Sequence, residues 1–187
     1  MSQSHSCLFT VAIVGFIASG TVAGQSAEST KTPAVSDAQI AQIVVTANAI
    51  DIKNGEIALK QSKTPAVAEF ANLMIKDHTA VNNNAKALVT RLGVTPAASD
   101  TSNSLQTAAD KEQKHLSTLH SAAFDRAYFE NEVAYHKQVI DAIKDVLIPN
   151  AQNAELKKML VDVEPAFQAH LEHAEKALAA LDSSTKK

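Results

Sequence analysis

Three histidines stand in positions that a helical pattern reserves for apolar residues. Val67, Ala71, Met74, His78, Val81, Ala85, Leu88 and Leu92 follow one another at alternating spacings of four and three. Phe129, Val133, His136, Ile140, Ile143 and Leu147 obey the same rule, as do Leu156, Leu160, Val163, Phe167, His170, Ala174 and Ala177. Such a stripe is a knobs-into-holes seam, so each imidazole is turned toward a partner helix. The chemistry this permits is metal ligation, because neutral imidazole and carboxylate suit zinc, copper, nickel or iron. Glu132 lies one turn before His136, and His173 one turn after His170. The candidate set is therefore His78, Glu132, His136, His170 and His173, holding a divalent or copper ion, with no organic cofactor implied. Met74, one turn before His78, would add a soft donor favouring copper. Two other readings stay open. The histidines can fill the seams while bonding to a carbonyl, to Tyr128 or Tyr135, or to Glu132 or Glu56. They can also sense external pH.

Depth along the helices supports a shared site. His78 lies midway between Pro65 and Leu92, and His136 midway between Ala122 and Ile148. From a turn centred near Asn150, His170 is level with Glu132, which is about 6 Å of helical rise from His136. Asp77 is about 100° round the helix from His78, which fits a supporting contact better than direct ligation. Glu112 and His115 have the spacing of a di-iron ligand pair but fall in a polar connecting segment. His120 reads as solvated or as the start of a helix.

The elements that must position these residues are helices. Ser36 and Gln39 form a capping box ahead of a stripe of Ile40, Ile43, Val44, Ala47, Ile50, Asn54, Ile57, Ala58 and Gln61. Thr64 as N-cap and Pro65 at the first position open a second helix, which Gly93 closes. A Ser/Thr/Asn-rich connection, 94–104, leads to a short polar helix over 105–116. A third long helix is expected over 122–148, ended by Pro149. A fourth, capped by Asn150, is expected over 151–181, with Pro165 as a kink. Gly55 inside the first helix points to a close helix approach. Long helices, short hairpin loops and one long middle connection imply an all-α four-helix bundle with a short extra helix in that connection. Phe70, Met74, His78 and Val81 share their spacings with Tyr128, Glu132, His136 and Val139, which is compatible with a duplicated helix hairpin.

Composition narrows the function. The 187 residues carry 17 basic and 20 acidic side chains, a net charge of −3, which removes the electrostatic basis for binding nucleic acid. One Cys excludes a disulfide framework and any Cys-based zinc module. No Ser sits on a Gly-flanked elbow, so no hydrolase arrangement is present. Before Glu28 there is no charged side chain, and the apolar run 8–17 is followed by small residues ending at Gly24. That is the order of a secretory signal. The expected organisation is a signal peptide (1–24), a flexible leader (25–35), the bundle (36–181) and a disordered tail (182–187). The protein is then exported, periplasmic or associated with the envelope, with no membrane span after the signal is removed. An uncleaved N-terminal anchor is the alternative.

Three ordered motifs add a resemblance. Phe70-Ala-Asn-Leu-Met74-Ile-Lys-Asp77-His78, then Phe124-Asp125-x-x-Tyr128 with His136 downstream, then Pro165-x-x-x-x-His170-Leu171-x-x-Ala174 resemble the bacterial domain of unknown function 4142. The likeness runs from about 36 to 181. It implies a ferritin-like helical bundle and export rather than an activity. Tyr135 precedes His136, where an Asp-His pair is common in that family. A di-iron site would need Glu three residues before each His, and Ile75, Val133 and Phe167 stand there instead. Three functions follow as expectations. The first is a non-enzymatic envelope protein that meets an envelope partner or serves stress tolerance. The second is a periplasmic metal-binding protein using the seam histidines, and the third is a ferritin-like redox metalloenzyme.

Overall fold

A computed structural model describes residues 35–184, and these are helical with no strand among them. The expected signal segment, nearly all of the expected leader and the last three residues lie outside the described residues.

Helix α1, Asp37–Gln61, starts at the expected capping box: Ser36 Oγ accepts from the Gln39 N–H and the Gln39 side chain returns to the Ser36 N–H. It is buried well beyond its apolar stripe, because it packs against three other helices. Helix α2, Pro65–Leu92, has Pro65 in its first turn and ends at Gly93 in the left-handed conformation at φ 66°. The Val94 N–H returns to the Val89 carbonyl at 2.9 Å, a Schellman closure. Thr64 has N-cap geometry, but its hydroxyl does not cap the helix. It donates to the buried Asp125 carboxylate, which also accepts from Ser62 Oγ at 2.6 Å.

Helix α3, Asp100–Leu116, begins five residues before the expected start. Ser99 and Ser102 form a reciprocal cap that satisfies the first-turn N–H groups, so the polar run is helical rather than a loop. Helix α4 is Ser121–Ala142 and widens into a π-helical segment, Ile143–Leu147, before a last turn, Ile148–Asn150. Pro149 therefore does not stop the chain where expected. An α-helical proline clashes with the carbonyl four residues back, and the wider π turn just before it makes room. Helix α5, Ala154–Ser184, starts three residues later than expected. Its cap is Asn153, whose Oδ1 accepts from the N–H groups of Glu155 (2.9 Å) and Leu156 (3.2 Å). Asn150 instead donates back to the Val146 carbonyl. Pro165 lies inside α5 on an exposed face, where water can reach the carbonyl that lacks its N–H partner.

The α1/α2 and α4/α5 pairs are hairpins; α1 also meets α4, α2 meets α5, and α3 lies on α1 and α4. Two apolar clusters occupy opposite stretches of the interior. One holds Ile40, Val44, Ile140, Leu147, Leu160 and Phe167. The other holds Phe70, Met74, Leu116, Phe124, Tyr128 and Phe129. On α1, α2, α4 and α5 alike, the residues between these clusters are polar: Asn48, Asp51, His78, Glu132, His136 and His170, all buried.

Gly55 is a point of close approach between α1 and α2. A Cβ there would lie 2.9 Å from Ile75 Cγ1 and 3.0 Å from the Ala71 carbonyl oxygen. Alanine gains about 1 kcal/mol in helix propensity, but the clash with backbone costs about 1–3 kcal/mol. Gly55→Ala is expected to be net destabilising in urea unfolding, and a more stable variant would show that the helices can part freely.

Candidate metal centre

The three seam histidines meet. Their ring centroids form a near-equilateral triangle, with His78 5.7 Å from His136 and 5.3 Å from His170, and 5.5 Å between His136 and His170. One ring nitrogen from each lies within 4.8 Å of the other two. Phe167 stacks on His78, with centroids 4.9 Å apart and planes 22° apart, and fixes that ring.

The outer nitrogen of every imidazole is tied to an oxygen, and this decides which nitrogen carries the proton. Asn48 Nδ2 donates to the Val44 carbonyl at 2.8 Å, so its Oδ1 is the atom facing His78 Nδ1 at 2.7 Å. An amide oxygen only accepts, so His78 Nδ1 is the donor and Nε2 keeps a lone pair. His136 Nδ1 faces the backbone carbonyl of Glu132 at 2.9 Å, with the same consequence for its Nε2. His170 is reversed: its Nε2 meets Asp77 Oδ2 at 3.1 Å, which leaves Nδ1 bare. Asp77 thus supports a histidine, as its angle on α2 implied, but that histidine is His170 on α5.

Asp51 borders two of the three histidines, and the stripe chosen for the first helix had passed it over. It is fully buried, and its Oδ2 lies 3.1 Å from His78 Nε2 and 3.5 Å from His136 Nε2. Neither approach is aligned as a hydrogen bond. Among the described residues, His78 Nε2, His136 Nε2 and His170 Nδ1 are buried without a hydrogen-bond partner. The bare Nε2 atoms of His78 and His136 therefore face the Asp51 carboxyl, which also meets the Glu132 carboxyl. Glu132 forms a second close group with Asp51 and His136, its Oε2 3.7 Å from His136 Nδ1, and Asn131 reaches its other oxygen at 3.4 Å.

Other expected residues fall elsewhere. His173 is partly buried with its ring edge-on to Phe70, centroids 5.1 Å apart, and belongs to neither close donor group. Met74 packs in the aromatic cluster. Glu56 pairs with Lys53 at the surface. His115 and His120 are exposed. Tyr135 donates to the Ala47 carbonyl rather than to a histidine. A sequence signal for Asp51 did exist: Ile40, Val44, Ala47, Asp51, Asn54 and Ala58 follow the same four-three rule as the other seams.

Burial sets the protonation of the centre. It holds the His78 imidazole well below its usual range, helped by the neighbouring His136 and His170, and takes His136 down to about 4. His170 is lowered as well, mainly by burial, although Asp77 opposes the shift. Asp51 is pushed up to about 7 by loss of water, and Glu132 is raised well above its usual range by burial and by the Asp51 charge. Burial thus favours neutral imidazoles and opposes ionisation of both carboxyls.

A family model described as Domain of unknown function (DUF4142) matches residues 22–177, and the chain belongs to that family. Comparison with curated proteins and with solved structures gives no match.

These shifts fix the sign of the pH dependence of the metal-free fold. The histidines stay neutral when folded but bind protons when unfolded below 6.5, so their contribution is lost as pH falls through that value. The carboxyls run the other way. They keep protons that the unfolded chain releases above 3.8 and 4.5, so the Asp51 contribution is lost as pH rises through about 7. Maximum stability is expected between about pH 6 and 7, with slopes on either side near ~1.4 kcal/mol per pH unit for each net proton. Urea unfolding at pH 5, 6.5 and 8 checks this. Stability that climbs steadily to pH 8 would mean that Asp51 and Glu132 are ionised in the fold.

Proposed function

From membership of a family of unknown function as the premise, we propose that this protein binds one divalent first-row transition-metal ion inside its helices. The ligands are His78 Nε2, His136 Nε2, His170 Nδ1 and the Asp51 carboxylate. The observation that carries this reading is the orientation of the imidazoles: every outer nitrogen is anchored to an oxygen and every inner nitrogen is left bare. Metal-binding histidines are commonly held in this way, the outer N–H fixing tautomer and ring angle. A proton on Asp51 satisfies one of the converging lone pairs, whereas a cation satisfies all of them. Donor atoms around a four-coordinate zinc ion, at ~2.0–2.1 Å from it, sit roughly 3.3 Å apart. The two distances from Asp51 to the histidines match that spacing.

Donor chemistry selects the ion. Three imidazoles and a carboxylate fit zinc, copper or nickel, whereas calcium and magnesium take oxygen ligands. Four protein ligands close the coordination shell, and catalytic zinc sites keep a position open. The residues three before each histidine are apolar, so the donor set is not that of a di-iron oxidase. These features favour a binding role over a catalytic one.

The rest of the reading concerns architecture and place. The two packed hairpins, with α1 against α4 and α2 against α5, support a ferritin-like four-helix bundle in which α3 is the extra helix of the middle connection. The apolar run and small residues before Gly24 support export to the periplasm or envelope, with an uncleaved anchor as the alternative. No helix among the described residues is long and apolar enough to cross a membrane.

Metal-stripped protein titrated with Zn²⁺, Cu²⁺ and Ni²⁺ against a chromophoric chelator tests the site. One ion per chain is expected. His78→Ala, His136→Ala, His170→Ala and Asp51→Asn should each weaken binding ~100-fold or more, and Asn48→Ala by roughly 10–100-fold. His173→Ala should change it less than about threefold, since its ring lies on Phe70. A triple histidine variant that binds as the parent does would overturn the assignment.

A further inference from the structure

We propose that the apolar cavity beside the histidine centre is a binding site for a small uncharged hydrocarbon-chain molecule carrying one polar end. The cavity measures about 320 Å³ and lies between the two hairpins under the start of α3. A cavity of about 150 Å³ with apolar walls stays dry and accepts benzene, so this one has room for a larger guest of the same kind. Small-molecule sites begin at roughly this size.

The walls specify what the guest must be. Ile43, Val44, Ile143, Leu147, Leu160 and Phe167 form the buried part, and among the described residues none that lines the cavity is charged. An ionised head group would lose its water there without gaining a counter-charge. The polar lining residues Thr101, Ser104 and Gln138 are exposed and lie together with exposed Ala108, on α3 and the facing stretch of α4. They offer hydroxyl and amide groups to a neutral alcohol, ester or amide at the mouth, while the chain runs inward.

The local fold is built around this space. Ile143 and Leu147 are the first and last residues of the π-helical segment, and both face the cavity. π-Helical turns are rare and occur frequently at functional sites. At the inner end Ala47, Asn48, Val139 and Phe167 wall both this cavity and the small space against Asp51, His78 and His136. A bound chain therefore ends against the Phe167 ring that stacks on His78. The site needs no metal ion, so it stands or falls separately from the ligation proposed above.

The test uses chelator-treated, metal-free protein and the uncharged fluorophore N-phenyl-1-naphthylamine, displaced by 1-decanol or by decanoate at pH 8. Saturable probe binding is expected, with decanol displacing at least tenfold better than decanoate. Ala142→Phe fills the cavity from α4, and Ala108→Trp blocks its mouth from an exposed position that the fold does not depend on. Both should weaken probe binding at least tenfold while the helical circular dichroism is kept. Absence of saturable binding by the parent overturns the proposal, as when another part of this chain or a second copy fills the space. Binding unchanged in a folded Ala108→Trp also overturns it, and equal displacement by decanoate overturns the choice of an uncharged ligand.

Discussion

The interior of this protein is organised by one electrostatic problem: a carboxylate and three imidazole lone pairs brought together where water does not reach. Asp51, His78, His136 and His170 come from four different helices, and each of the three histidines is tied from behind so that it cannot turn away. Removing polar groups from water is unfavourable unless each finds a partner, and a partly satisfied buried network is worse than an apolar one. A layer of this kind, set between an aliphatic and an aromatic cluster, lowers the stability of the helices unless something positive occupies it. A proton does so partially, and burial accordingly pushes Asp51 up to about 7 and raises Glu132 well above its usual range. A metal ion does so fully.

The packing around the layer serves its geometry. Gly55 lets α1 approach α2 closely, which brings Asp51 to His78. Phe167 from α5 holds the His78 ring from the cavity side, and the Val44 carbonyl fixes the Asn48 amide that orients it. Asp125 gathers Ser62 and Thr64 and so joins the α1–α2 loop to the start of α4. Asp37 accepts from the N–H groups of Gln152 and Asn153 and joins the start of α1 to the α4–α5 loop. The hairpins are therefore linked at both loops, and the polar layer lies on the helices between those links.

Much of this was legible in the residues. The four-three spacing placed His78, His136 and His170 in seams, and their depths, within about one helical turn of one another, pointed to a shared site. Gly93 and the Ser36–Gln39 pair marked helix ends correctly because capping is local chemistry. Asp51 was hidden because Ile43 and Ile50 draw an apolar stripe to one side of the true seam, which reads Val44, Ala47, Asp51, Asn54. The partner of Asp77 is on another helix, and no local rule points to it. The start of α3 was obscured by polar composition, although Ser99 and Ser102 cap it. The π-helical segment before Pro149 depends on how the chain relieves a proline, which spacing alone does not reveal.

The central claim is that the inner nitrogens of the three histidines form one cation site together with Asp51. Anomalous diffraction from crystals grown with Zn²⁺, recorded on both sides of the zinc edge, tests it most directly. The expected result is one strong peak inside the bundle, within ~2.0–2.2 Å of His78 Nε2, His136 Nε2, His170 Nδ1 and an Asp51 oxygen. A peak confined to surface histidines such as His115 or His120, with the buried rings arranged as they are here, would contradict it.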